Sequence, residues 1–409
     1  MIHQPPAGAR DLFPLDVAQK HWIEERLQQI FHRWGYHRVI TSTLERLDTL
    51  MAGGAVQRST VIQLHDTDNE VLGLRPELTA SIARAAVTRL DSLSLPQRLY
   101  YNANVFRRSA KGSSDRQYEF YQAGVELIGA QGTVADGEVL LLLMDCIQNL
   151  KLADWHLVLG NAELTRSLLS PFPSEWRDRV RQGIAHLDRI TLETLPLSPE
   201  LRSRALAMFD LRGTPAQVFP RLAQLELDES QWAAVENLKT LVELLEKTCA
   251  LQSLALPSLV LDLSLIQTFD YYTGIVFEVV TATPTGYRTI GQGGRYDQLL
   301  ELFHPQGTGA PGIGFVLNIE ELHQALLPTG QLPVTTPVNS WLVVPQSAAA
   351  QAAAFAYAQT IRDSTTLVRV EVSLGDRTPE QTRSYARQRG IAQIAWVNGA
   401  GVTEIEAVR

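Results

Sequence analysis

Cysteine is almost absent. The 409-residue chain has two, Cys146 and Cys249, far apart and outside any Cys-x-x-Cys spacing. Two thiols in so long a chain give no disulfide framework, which points to a reducing, cytoplasmic setting. An excess of basic charge is missing too. The net charge of −8 argues against a broad nucleic-acid footprint, although a local basic patch can sit on an acidic protein. No apolar run is long enough to span a bilayer, so no membrane association is expected. The stretch MIHQPPAGARDLF carries no basic-then-apolar signal sequence. The nine histidines are scattered, and no pair stands at metal-ligand spacing, so neither metal nor cofactor is expected. What remains, 45% apolar and 20% charged residues, is the composition of a globular protein with length for two or three domains.

The hydrophobic periodicity predicts a helix over 15–34, with Ile23, Leu27, Ile30, Phe31 and Trp34 on one face and Gly35 as its stop. A strand follows near 36–40. VIQLHDTDNEVLGLRPE reads as two short strands around an Asp/Asn turn, and TASIARAAVTRL as a helix that starts after Pro76. Residues 99–107 and 117–128 form a further strand pair, and an apolar helix covers about 132–150. Residues 161–255 are helix-rich and punctuated by Pro and Gly. Strands return at SLVLDLSLI, YYTGIVFEVV and YRTIGQGG, with a helix expected near 295–303 and a strand-to-helix unit at GIGFVLNIEELHQALL. The proline-spotted stretch 327–339 marks a boundary. Beyond it the pattern alternates βαβαβ, a small parallel α/β domain, followed by a last strand at GVTEIEAV. The division is therefore 1–326 as an α+β domain with a mainly antiparallel sheet flanked by helices, 161–255 as a helical insertion within it, 327–339 as linker and 340–409 as the α/β domain.

Three stretches carry candidate chemistry. LRPELTA places Glu77 and Thr79 at a strand-to-helix corner. An acid in a first helical turn ordinarily serves the helix dipole. The functional reading is a carboxylate that receives an ammonium group. In YNANVFRRSAKGSSDRQYEFYQAGVELIG, alternation puts Tyr118, Phe120, Gln122, Gly124 and Glu126 on one strand face, with Val125 and Leu127 on the packing face. Polar groups flanking a glycine on a core strand are costly unless something pairs with them, and the glycine leaves space for a ligand. The plain alternative is a charged surface hairpin ending in Arg107 and Arg108. TIGQGGRYD has glycines where a sheet should be continuous and no Lys-Ser/Thr to make a phosphate loop.

Taken together, LRPELT, FRRSAKGSSDRQYEFYQ, FDYYTGIVFE, GGRYD and GIGFVLNIEEL resemble the signature motifs of class II aminoacyl-tRNA synthetases, specifically the histidyl-tRNA synthetase family. The order of DYYTG…VFE before GGRYD is highly specific, and the resemblance covers nearly the whole chain. It implies the class II catalytic-core fold and an anticodon-binding-like domain at the end. It places Glu77, Thr79, Arg107, Gln122, Glu126, Tyr271 and Tyr272 at histidine-pocket positions.

The departures from the family pattern fall on the charges that activation needs. The resemblance calls for an arginine where Gln267 stands, another where Glu321 stands, a glutamate where Ser109 stands and a first-motif proline where Ser42 stands. Adenylate formation builds charge that fixed cations stabilise, and losing one preorganised donor costs about 10²–10³ in rate. A pocket kept while its cations are gone resembles the synthetase paralogues that serve as regulatory subunits of ATP phosphoribosyltransferase. That resemblance implies no catalysis and no tRNA partner. It implies a homodimer assembled with a short-form catalytic subunit into a hetero-oligomer, and histidine as feedback effector. The segment 337–409 has seven arginines, no lysine and six acids, nearly neutral where an anticodon reader should be basic. The alternatives are a working histidyl-tRNA synthetase and a free-standing histidine sensor.

Overall fold

The computed structural model describes residues 5–54, 56–89, 94–108, 117–252, 256–265, 271–283, 286–365, 367–375 and 377–408. Ser109 and Gln267 lie outside them. Contacts divide the chain into one unit of Met1–Leu12 with Gln19–Leu332 and a second of Phe13–Ala18 with Pro333–Arg409. Among the described residues no helix is long and apolar enough to cross a membrane.

The first unit is built on a nine-stranded sheet. In spatial order its strands are His37–Arg38, Gln97–Phe106, Glu119–Ile128, Gly312–Asn318, Gly286–Arg295, Ile275–Thr283, Trp155–Asn161, Ser258–Asp262 and Arg212–Gly213. All neighbours run antiparallel except the His37–Arg38 and Gln97–Phe106 pair and the Trp155–Asn161 and Ser258–Asp262 pair. One face packs on the helices Pro14–Arg33 and Thr133–Asn149 and on helices from Ala162–Leu169 to Glu229–Gln252. The helices of the 161–255 stretch thus share one buried cluster with the sheet, through Leu164, Val180, Leu238 and Leu245. The other face meets the helix Thr79–Arg89 through Leu78, Ile82 and Val87.

Local chemistry explains several boundaries. The Gln63–His65 and Val71–Leu74 strands pair antiparallel. Asp66 Oδ1 accepts the Asp68 and Glu70 amides at 3.0 and 2.8 Å, and Asn69 takes the left-handed conformation that asparagine tolerates. Gly35, at φ +78°, ends the first helix. The helix expected near 295–303 is not formed. The Gly286–Arg295 strand runs through that start, and only one 3₁₀ turn, Glu301–Phe303, follows. Strand pairing of Gly294 and Arg295 with Gly314 and Ile313 outcompetes local helix propensity there.

The second unit has the strand order Val370–Val372, Trp341–Pro345, Gln393–Asn398, Gly401–Ala407. The first two pairings are parallel and the last antiparallel. The expected parallel βαβαβ core is present, and the final strand returns through a turn too short for a crossover. The helix Gln351–Ser364 packs on one face through Ala354 and Ala358, and Pro379–Gln388 on the other through Ala386.

Candidate functional site

One cavity of the first unit gathers residues from six separated stretches. Glu77, Leu78 and Thr79 come from the start of the Thr79–Arg89 helix, and Tyr101 and Arg107 from the Gln97–Phe106 strand and its end. Gln122 and Glu126 come from the central strand, Tyr271 and Tyr272 precede the Ile275–Thr283 strand, and Gln292, Tyr296, Gly314 and Phe315 complete the wall. All seven residues expected at a histidine pocket line this one cavity. Tyr118 does not: it precedes the Glu119–Ile128 strand and is exposed.

The floor is a row across the sheet. Glu126 lies opposite Gly314, which lies opposite Gly294. A Cβ on Gly314 would sit 2.0 Å from Glu126 Oε2 and 2.4 Å from the Val125 carbonyl oxygen. One on Gly294 would sit 2.6 Å from the Tyr272 ring. Gly124 would likewise collide with Tyr101 Oη at 2.5 Å. Glycine therefore supplies the space that the carboxyl and the tyrosine rings fill. The Tyr271 and Tyr272 ring centroids are 4.8 Å apart, and Tyr271 meets Tyr296 edge-on at 5.9 Å.

Burial sets the protonation states. Glu126 is 2% exposed. Desolvation pushes its pKa up to about 8, against hydrogen bonds donated by the Tyr296 and Thr79 hydroxyls. The buried Glu77 is also raised by desolvation, opposed by the Ala80 and Thr79 amides and by Arg107. Its two oxygens accept the Thr79 amide at 2.5 Å and the Ala80 amide at 3.0 Å, so it stabilises the helix start as the plain reading held. Burial lowers the pKa of Arg107. Its Nε has no hydrogen-bond partner among the described residues, and its guanidinium lies 5.5 Å from the Phe120 ring centroid. Gln122 donates to Asn318 Oδ1 at 3.2 Å.

The cavity is narrow, at about 30 Å³. That holds about two water molecules, so an amino acid can enter only if the walls move. A neighbouring cavity of about 310 Å³ shares Arg107 and adds Arg108, Gln117, Phe120, Asn318, Glu320 and Glu321. There Glu321 pairs with Arg288 at 2.8 Å, and Glu320 accepts the Tyr121 amide at 3.0 Å. Ser42, at the first-motif position, donates to the Leu44 carbonyl at 2.6 Å.

Sequence reasoning missed Tyr101 and Tyr296. Tyr101 was findable in principle, since it stands directly opposite Gly124 across the strand pair. Tyr296 depends on the turn after Arg295, which local pattern misread as helix.

The sequence profile of the histidyl-tRNA synthetase family matches residues 8–322. The ATP phosphoribosyltransferase regulatory subunit of Nostoc punctiforme is 61% identical over 409 residues, the whole of both chains. That of Picosynechococcus is 55% identical over 408 residues, again the whole of both. Among solved structures, an ATP phosphoribosyltransferase regulatory subunit/histidyl-tRNA synthetase from Bacillus halodurans superposes with a TM-score of 0.80. It is 26% identical and spans 98% of this chain and 99% of that one. A histidyl-tRNA synthetase from a Nostoc species gives a TM-score of 0.76 at 19% identity over 97% and 91%, a likeness of fold alone.

Proposed function

The chain belongs to the histidyl-tRNA synthetase family and, within it, to the ATP phosphoribosyltransferase regulatory subunits, and from that premise we propose that it has no catalysis of its own and controls a separate catalytic chain. The reading rests on the full-length 61% identity to a protein of that name. In this proposal the partner is a short-form ATP phosphoribosyltransferase catalytic subunit, and the complex performs the first step of histidine biosynthesis in the cytoplasm. This chain forms a homodimer inside a hetero-oligomer and binds no tRNA. The domain division is the one given above, 1–326, 327–339 and 340–409.

Electrostatics support the loss of synthetase chemistry. Adenylate formation needs fixed cations at a nucleotide triphosphate. Glu321 lines the 310 Å³ cavity with a carboxylate that would repel a triphosphate, and the Arg288 guanidinium is paired with it. In sequence, Gln267 stands at the second expected arginine and Ser109 at an expected glutamate.

Histidine is the proposed effector, held by Glu77, Thr79, Arg107, Gln122, Glu126, Tyr271 and Tyr272. The tyrosines flank the imidazole, and the half-satisfied Arg107 meets the carboxylate. Because the cavity is only about 30 Å³, histidine binds a widened state and draws the subunit toward it, which is the differential affinity that feedback requires.

The test is reconstitution. The catalytic subunit alone should be slow, its complex with this chain fast, and histidine should inhibit only the complex. Pyrophosphate exchange into ATP with histidine should stay at background. Activity indifferent to this chain, or exchange at a synthetase-like rate, overturns the proposal. Gln122→Leu should raise the histidine concentration needed for inhibition about tenfold, the effect of one lost hydrogen bond to a charged ligand. Unchanged inhibition moves the effector elsewhere.

A further inference from the structure

The second unit contains a cavity of about 830 Å³, within the usual range for small-molecule sites. It lies beyond the ends of the parallel strands Trp341–Pro345 and Val370–Val372, which supply Val344, Pro345 and Val372 to its wall. Topology opens it. From the Trp341–Pro345 strand the chain passes through the Gln351–Ser364 helix to a strand on one side. It then crosses through Pro379–Gln388, on the opposite face, to a strand on the other side. The loops leaving neighbouring strand ends therefore diverge, and a crevice at such a reversal is where open α/β sheets bind ligands.

Its lining has a definite sign. Among the described lining residues there is no carboxylate and one formal charge, the Arg377 guanidinium. This is notable in a unit whose tail holds nearly as many acids as bases. Asp376 lies outside the described residues. The guanidinium is held 4.2 Å from the Tyr385 ring centroid and donates to Ser373 Oγ at 3.4 Å. Ser373 is buried. Gln351 and the Thr378–Pro379 pair bring two helix N-termini, with their positive dipole ends, to the rim. The lining also holds two aromatics. Trp396 has its indole N–H engaged by Glu406 at 3.2 Å, so toward the cavity it offers ring surface, and Phe355, from the helix on the other face of the sheet, is half-exposed.

We infer that this crevice binds a small anion carrying a planar ring, of the mononucleotide class. The phosphate lies between Arg377, Ser347 and the two helix starts, and the base against Trp396 and Phe355. The site is separate from the histidine pocket and does not depend on the reading of that pocket.

The full chain is titrated by calorimetry with adenosine 5′-monophosphate, guanosine 5′-monophosphate, adenosine and inorganic phosphate, each to millimolar concentration. A mononucleotide should bind, adenosine and phosphate each at least about tenfold more weakly. Arg377→Gln should weaken the mononucleotide about tenfold, as loss of one charge-assisted contact implies. Arg377 is exposed, so this variant keeps its fold, and Phe355→Ala provides a second, independent loss. Glu126→Gln should leave the affinity unchanged. No binding of either mononucleotide, or binding that Arg377→Gln and Phe355→Ala both leave intact, overturns the inference. A short single-stranded RNA that binds far more tightly than its mononucleotide also overturns it, because the crevice would then be part of an RNA track.

Discussion

The tyrosine-walled cavity of the first unit and the crevice of the second differ in volume, about 30 against about 830 Å³, and in the sign of the groups that face them. The smaller one encloses two buried carboxyls, Glu77 and Glu126, and a partly satisfied arginine. The larger one has an exposed arginine and no described carboxylate. Burying charge is expensive, so the small cavity is defined by how each polar atom is met, through glycine floors and hydroxyl donors. The open crevice carries no such demand, and its chemistry is set by strand topology and helix ends. The first region should therefore be sensitive to single atoms and to pH, and the second to neither.

Glycine substitution tests that contrast most severely. Gly314→Ala puts a methyl against the Val125 carbonyl and Glu126, and should cost about 3 kcal/mol or more in urea unfolding. Gly399→Ala in the second unit, with nothing within 4 Å, should stay within about 0.5 kcal/mol. Equal effects would mean the floor is not closed in solution.

The pH dependence comes next. The folded pKa of Glu126, about 8, exceeds its ordinary value of 4.5. Its contribution to stability is full below pH 4.5 and is lost as pH rises through about 8. Glu126→Gln should remove that decline and leave the protein a few kcal/mol more stable than wild type near pH 9, with no gain below pH 4.5. Arg377→Gln should leave the profile unaltered. A wild-type profile with no fall across this window would show that the carboxyl ionises freely.

Tyr296→Phe should have a smaller effect. It deletes the hydroxyl that donates to Glu126, costing roughly 1–2 kcal/mol and moving the midpoint of the pH-dependent loss upward, as removal of a bond that favours the carboxylate requires. Arg288→Ala should be smallest, below about 1 kcal/mol, because the pair with Glu321 is about one-third exposed and screened. A large loss there would assign the pair a structural role.

Much of this was legible before any coordinates. Alternation along Glu119–Ile128 put Phe120, Gln122, Gly124 and Glu126 on one face, and Ala123, Val125 and Leu127 do join the opposite core. Local chemistry marked the Asp66–Asn69 turn and the helix end at Gly35. The helix expected near 295–303 failed because Gly294 and Arg295 answer to partners more than fifteen residues away in sequence, which periodicity cannot register. Tyr101 and Tyr296 escaped notice for the same reason, since each matters through a neighbour across the sheet or beyond a turn.

Residue identity alone determined the family, most of the strand and helix succession, and the loss of two expected arginines at Gln267 and Glu321 and of an expected glutamate at Ser109, because these are properties of order along the chain. The narrowness of the amino-acid cavity, the raised carboxyl of Glu126 and the width of the second crevice were decided only in three dimensions. Desolvation and steric exclusion depend on which distant atoms surround a group, and the chain's own order does not specify that until it folds.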